Sequence, residues 1–467
     1  MKHIKPNTRL NLKVNLPADL PWKMLAAIVK DLGFGEEHSD NYIPDHFGIA
    51  TIIRKRCVDS LFALQSELSP RRIAELSGKC AQTFHAYYQL VAFLKKYPFP
   101  GYDTKAAALE TFFKAERECG LYNSDNYKSL LAVSEKHPDY LGVIDDMRED
   151  IVSLLGECPN VESVYGNATH GPGVSLARSY RGGCSTQYFK WSVLPYSVTK
   201  DALPYAKAAI ESDQRWSGAL NDWYRRKNGI ELYEPINVED FWKQVLDVVP
   251  GSRITTVAKT ALTDRTIAVE PVLNVFLQLG VNHIMRARLK KRWHYDLFDQ
   301  TLNQRLAESS SNNDDLATVD LRAASDTISL KICELLLPPL WYALLLDLRC
   351  KEGKVGNLSF KFHKMSSMGN GFTFALESVI FGALARCAIN RTRSERRSAV
   401  YGDDIIVPST AYSYLVDLIQ FCGFTVNQEK SYHAGLFRES CGADFYAGHN
   451  VRPMFLKHKV ETVQDLL

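Results

Sequence analysis

Two adjacent acids at a tight turn are the most chemically suggestive feature of this sequence. Tyr401-Gly402-Asp403-Asp404 lies between the strand-like runs 398–400 and 405–407, a pattern that reads as a hairpin whose glycine takes positive φ. Carboxylates displayed side by side repel each other, and divalent cations that prefer hard oxygen ligands, magnesium or manganese, would neutralise them. A solvated acidic turn is the plain alternative, since Gly and Asp favour turns for conformational reasons alone. A second element adds weight to the metal reading. Leu316-Ala317-Thr318-Val319-Asp320 reads as a strand ending in an acid, and a pair of ions about 4 Å apart needs ligands from more than one strand. Asp320, Asp403 and Asp404 therefore form the candidate catalytic and metal-binding set. Asp326, shortly beyond, reads as a helix cap or dipole partner.

Two further segments carry groups suited to a nucleotide. In 253–270, β-branched residues recur at strand spacing and Arg253, Lys259 and Arg265 share parity. As strands they would point three cations to one side, a positive wall for a triphosphate; the alternative is a solvated hairpin face. Ser366-Ser367-Met368-Gly369-Asn370-Gly371-Phe372-Thr373 is a small-residue loop entering an apolar helix. Gly369 permits close backbone approach, and Ser367, Asn370 and Thr373 could bond a ribose or a template backbone, or serve only as a helix start. Basic clusters at 286–292 and 391–397 could follow an RNA backbone.

Helical spacing at 22–32, 81–96, 105–119 and 143–155 makes the first third mainly helical, with Gly33 and Gly120 where C-caps belong. Residues 161–200, with His170-Gly171-Pro172-Gly173, Gly182-Gly183 and aromatics including Tyr180, read as loops and short strands. Helical patterns at 202–223 and 271–293 flank the β-rich segment, and from 316 onward short strands alternate with helices, an α+β class. No repeat or long linker separates subdomains, so they share an interwoven chain. The 56 basic and 53 acidic residues among 467 neither require nor exclude a nucleic-acid partner. Ten cysteines, scattered without a C-x-x-C pair, read as reduced thiols. Charges and a proline in Met1–Leu10 argue against a signal peptide, and Pro338 and Pro339 interrupt the longest apolar run, so no membrane span is expected.

In chain order, a basic segment, a strand-end aspartate, a glycine-rich loop with its helix and Tyr-Gly-Asp-Asp resemble the motif series of viral RNA-dependent RNA polymerases. More narrowly, Asp320-Leu321-Arg322-Ala323-Ala324-Ser325-Asp326, the loop 366–373 and Phe437-Arg438-Glu439-Ser440-Cys441-Gly442 resemble the replicase β subunit of the leviviruses, the single-stranded RNA bacteriophages. The likeness covers about residues 250–457, with His170-Gly171-Pro172-Gly173 a weaker echo. It implies a right-hand fold: an N-terminal helical region over 1–160, fingers with the basic NTP-binding segment over 161–315, a palm with the aspartates over 316–433, and over 434–467 the palm's end and a reduced or truncated thumb. The chain stops at Val463-Gln464-Asp465-Leu466-Leu467, and the N-terminal helices are candidates to take over part of the thumb's role.

The resemblance implies template-directed nucleotidyl transfer from NTPs with two Mg²⁺ ions, Mn²⁺ being a possible substitute, held by Asp320, Asp403 and Asp404. Lys430, in a run resembling the next palm motif, would be a general acid toward pyrophosphate. Glu377 stands where many viral RNA polymerases have an asparagine that senses the 2′ hydroxyl, which leaves that task to Ser367, Asn370 or Thr373. Implied partners are RNA, the host elongation factors Tu and Ts and a ribosomal RNA-binding protein, with no membrane, in the cytoplasm of a bacterial host. A reverse transcriptase, whose Tyr-x-Asp-Asp turn usually has a bulkier residue than Gly402, and a catalytically silent RNA-binding scaffold are the competing readings.

Overall fold

A computed structural model describes residues 19–34, 47–124, 140–176 and 186–459. Met1–Leu10, Tyr180, Gly182-Gly183 and Val463–Leu467 lie outside these residues. The class is α+β, as the alternation of patterns predicts. Helix Thr373–Thr392 forms the spine of the largest core cluster, where it meets helices Val272–Arg288, Tyr140–Leu155 and Tyr412–Phe421. By length and composition it could cross a membrane, but 83% of its apolar window is buried inside the protein, as befits a core helix.

Among the described residues, twelve strands make four small sheets. β1 (Tyr196–Val198) pairs in parallel with β2 (Leu246–Val248). β3 (Ser252–Ala258) and β4 (Asp264–Val269) form an antiparallel hairpin, extended by β6 (Glu352–Val355) and β7 (Leu358–Lys361) in the order β4-β3-β6-β7. β5 (Leu316–Val319), β9 (Asp404–Pro408) and β8 (Ala399–Tyr401) form an antiparallel sheet with β9 in the middle. β10 (Phe437–Ser440), β11 (Ala443–Tyr446) and β12 (His449–Asn450) make the last sheet.

The N-terminal helices do not form a core of their own. Phe84, fully buried in helix Ala81–Ala92, stacks on Tyr446 with ring centroids 4.1 Å apart and on Phe437 at 5.2 Å. One hydrophobic cluster thus joins these helices to β10, β11 and Ala261 between β3 and β4. The following helix, Thr104–Ser124, is tied in by charge. Lys364, with no exposed surface, bonds Asp326 Oδ1 at 2.7 Å and Glu116 Oε1 at 3.2 Å. A buried ammonium requires such partners, because an unpaired charge out of water is expensive.

Four local expectations change. The region 161–200, expected as loops and short strands, also holds helices Val161–Gly166, capped by Asn160, and Thr186–Phe189. Gly120 is no C-cap: the helix runs on to Ser124, and a Cβ at Gly120 would stand 3.3 Å from the His363 ring, so glycine there admits a close neighbour. The pattern at 202–223 is two helices, Leu203–Ser212 and Gln214–Asn228, broken at Asp213, whose carboxylate caps the second by accepting from the Arg215 and Trp216 amides. Asp326 caps nothing. It closes a 3₁₀ turn and meets Lys364, while Ser329 caps the next helix, Leu330–Leu336.

Candidate active site

The central sheet positions the three acids. Tyr401 pairs with Asp404 across a two-residue turn, Gly402-Asp403, and Gly402 has φ +65°. A Cβ there would lie 2.4 Å from the Phe374 ring, so both backbone conformation and space demand glycine. The Gly402 amide donates to Ser378 Oγ at 2.9 Å, which fixes the turn to helix Thr373–Thr392. On the other side of β9, Val319 pairs with Ile405, so Asp320 follows one step beyond and lies beside Asp404.

Hydrogen bonds then hold Asp320 and Asp404. Asp320 donates its amide to Ser431 Oγ at 3.1 Å; its Oδ2 accepts from Asn427 Nδ2 at 3.0 Å and lies 3.7 Å from Lys430 Nζ. Asp404 Oδ1 accepts from the Cys441 amide at 3.0 Å and from Ser440 Oγ at 3.3 Å, both at the β10–β11 turn. Arg438, fully buried, anchors that strand by bonding the Leu316 carbonyl at 2.7 Å and Asp314 at 2.6 Å. Asn427, Ser431, Ser440 and Cys441 are residues that sequence reasoning left without a role, although the flagged runs contain all of them but Ser431.

Burial raises the Asp404 carboxyl to about 6, with the charges of Asp403 and Asp320 adding to the effect. Burial likewise raises Asp320, and Asp403 adds to it while Lys430 opposes. Glu377, buried within its helix, is raised well above the carboxylate range by desolvation, then by Asp403 and Asp326. Among the described residues no three His, Cys, Asp or Glu side chains already converge on one point. The donor set nevertheless suits a hard divalent ion: oxygen ligands only, mutually repelling and short of counter-charge. Binding there would require the carboxylates to turn toward one another.

The β3–β4 hairpin presents two of the three cations on one face. Val257 pairs with Arg265 and Arg253 with Val269, so Arg253 and Arg265 share an exposed face, and Lys259 follows just past the end of β3. Lys259 lies within the field of Arg265, Lys430, Asp320 and Asp403; burial first, then the neighbouring cations, lower its ammonium. Arg253 sits at the far end of the strand, beside Lys354 of β6. The loop 366–373 is stitched to this hairpin through the Ala268 amide, which donates to the Met368 carbonyl at 2.8 Å. Gly369, at φ +108°, brings its Cα so close that a Cβ would lie 2.2 Å from the Ala268 oxygen. Ser367, Asn370 and Thr373 are buried, and the latter two are engaged within the loop: Asn370 Oδ1 accepts from the Phe372 amide and Thr373 Oγ1 donates to the Ser367 carbonyl.

The family model described as RNA replicase, beta-chain matches residues 53–467. This chain belongs to that family. It is 40% identical over 372 residues to the RNA-directed RNA polymerase subunit beta of Escherichia virus Qbeta, covering 79% of this chain and 58% of that protein. It is 37% identical over 405 residues to the corresponding subunit of Enterobacteria phage SP, covering 82% and 63%. With the beta chain of Enterobacteria phage fr it shares 31% over 365 residues, or 78% and 62%. The chain thus spans about three-fifths of the length of these curated relatives. All three acids lie within the matched span of this replicase-family chain.

Such a site holds negative charge against its own preference, which gives a stability test. The folded state takes up a proton at Asp404 at about 6, against 3.8 for an ordinary aspartate. The metal-free fold therefore loses stability as pH rises through that interval and bears the full penalty above it. Asp404→Asn keeps an acceptor for Cys441 and removes the charge. At pH 7.5, without divalent ions, it is expected to raise the thermal midpoint by a few degrees, or roughly 1–3 kcal/mol. The gain should vanish below about pH 4. A midpoint lowered at pH 7.5 contradicts this electrostatic account.

Proposed function

We propose that this chain is the polymerase part of an RNA-directed RNA polymerase, joining NTPs on an RNA template to replicate a phage genome. The observation that carries the reading is the β5–β9–β8 register, which sets Asp320 beside the Asp403-Asp404 turn within the field of Lys259 and Lys430. Family membership supports it, as do relatives named RNA-directed RNA polymerases. A bulkier residue at 402, as reverse transcriptases usually carry, would collide with Phe374. In this reading 1–160 is the helical region, 161–315 the fingers, 316–433 the palm and 434–467 the palm's end with the start of a thumb, in a right-hand arrangement.

Asp320, Asp403 and Asp404 would hold two magnesium ions, replaceable by manganese, which supply Lewis-acid activation of the 3′ hydroxyl and charge neutralisation at the departing pyrophosphate. The chain's own groups do the rest. Lys259 and Arg265 bind triphosphate oxygens, with Arg253 further along the same face. The loop 366–373, with Ser367, Gly369, Asn370 and Thr373, supports the ribose side of the nucleotide, where Glu377 lies near Asp403 and Asp326. Lys430 retains its proton: desolvation lowers its ammonium, but Asp320, Glu439 and Asp403 outweigh that and raise it. A lysine so held can donate a proton to pyrophosphate. Host elongation factors Tu and Ts and a ribosomal RNA-binding protein are the proposed partners, in the cytoplasm of an infected bacterium.

Incubation with an RNA template, NTPs and Mg²⁺, with and without bacterial elongation factors, is expected to yield template-complementary RNA. Asp403→Asn should reduce incorporation by roughly a thousandfold. Preference for dNTPs, or equal product from the variant, contradicts the reading. Lys430→Ala should slow single-turnover incorporation by about a hundredfold. An unchanged single-turnover rate removes Lys430 from proton transfer.

A further inference from the structure

The turn between β3 and β4 is held by the N-terminal region. The Ala261 amide donates to the Lys95 carbonyl at 2.9 Å, and Ala261, buried, joins the cluster formed by Leu94, Phe99 and their neighbours. On its other side the same stretch is fixed to the segment after β12. The Leu456 amide donates to the Phe93 carbonyl at 2.8 Å, and Gln89 exchanges two hydrogen bonds with the Met454 backbone, at 2.8 and 3.1 Å. Residues 89–96 are therefore a hydrogen-bonded bridge between the cationic hairpin and the chain beyond β12.

This bridge carries two lysines with different surroundings. Lys96 Nζ lies over the Phe455 ring at 4.1 Å. Lys95 lies in the field of Lys430 and of the carboxylates Glu439, Asp444 and Glu429, while the charges acting on Lys96 are Arg452, Lys457, Lys95 and Lys430. Neutralisation of those carboxylates is its plain alternative role, yet Asp444 already has Arg452 at 2.6 Å and the Tyr88 hydroxyl at 3.3 Å. Among the described residues none of these acids is in ion-pair contact with Lys95. Lys430, 3.7 Å from Asp320, is a charged neighbour of both Lys95 and Lys259, and the Lys95 carbonyl accepts from the Ala261 amide two residues past Lys259. Lys95, Lys259, Arg265 and Lys430 thus gather from three chain segments at the edge of the acidic site. Like charges so placed repel, and a polyanion entering among them relieves the repulsion.

We propose that Lys95 is a further triphosphate-binding residue, contacting the β- or γ-phosphate of the incoming nucleotide beside Lys259, Arg265 and Lys430, so that the N-terminal region completes the nucleotide entrance. The inference rests on the polymerase reading for its ligand. It differs from that reading in adding a residue from outside the segments that resemble polymerase motifs.

The test is a titration of a fluorescent ATP analogue with Mg²⁺ against the full chain, run in parallel with NTP incorporation. Lys95→Ala should weaken ATP binding about tenfold and raise the NTP KM similarly, with kcat within about threefold. Its affinity for AMP should be unchanged. Lys95→Arg should stay within about twofold of wild type, and Lys96→Ala should match wild type. Unchanged ATP affinity in Lys95→Ala overturns the inference while leaving the polymerase reading intact, provided the wild type incorporates NTPs. An equal loss in Lys96→Ala also overturns it, by showing diffuse attraction. Should the wild type make no RNA, the polymerase reading fails and the ATP titration still judges Lys95. Absence of ATP binding by the wild type overturns the inference as well.

Discussion

Mutual repulsion among Asp320, Asp403 and Asp404 is the constraint around which this part of the molecule is arranged. Left alone, half-buried neighbouring acids would separate or, as burial drives Asp404 and Asp320, shift toward the protonated form. The fold resists the first and partly yields to the second. A four-residue ladder between β5 and β9, with the Gly402 turn pinned to Ser378, holds the acids at adjacent strand ends. Asn427, Cys441 and Ser440 then supply donors to the Asp320 and Asp404 carboxylates, and Ser431 accepts from the Asp320 amide. The energy needed to keep the acids together comes from the core beneath, where helix Thr373–Thr392 is buried over most of its length. Stability is given up at this site, a cost that the proposed chemistry would account for.

The scaffolding reaches further than the central sheet. Buried Arg438 ties the β10–β11 turn, and hence the donors to Asp404, to the start of β5. Phe84 stacks against β10 and β11 from the N-terminal helices, while buried Lys364 joins Glu116 to Asp326. Segments distant in sequence therefore share one mechanical frame. The chemical groups lie on short strands and turns, and the long helices keep those turns in register.

Much of the site was legible in the sequence because its signals are local. A glycine before two aspartates predicts a tight turn, and Gly402 indeed has positive φ; parity alone put Arg253 and Arg265 on one face. The glycines of the loop 366–373 predict close backbone approach to a ligand, whereas the close approach that Gly369 makes is to Ala268 of β4. Contacts between distant residues were not legible. Nothing near Cys441 announces that its amide holds Asp404, and nothing near Asp326 announces a buried lysine from the loop after β7. Helix ends failed for a related reason. Gly120 resembles a C-cap by type, but the His363 ring decides its role from elsewhere in the chain. Periodicity reports which face is buried, and it is silent on which neighbour buries it.

The central claim is that the three acids close on a pair of divalent ions when a nucleotide is bound. Electron paramagnetic resonance of the full chain with Mn²⁺ and a non-hydrolysable triphosphate tests it most directly. The account predicts two bound Mn²⁺ ions with the spin coupling expected at about 4 Å separation, and loss of that coupling in Asp403→Asn. A single isolated Mn²⁺ signal in the wild type, or coupling that survives in the variant, would contradict it.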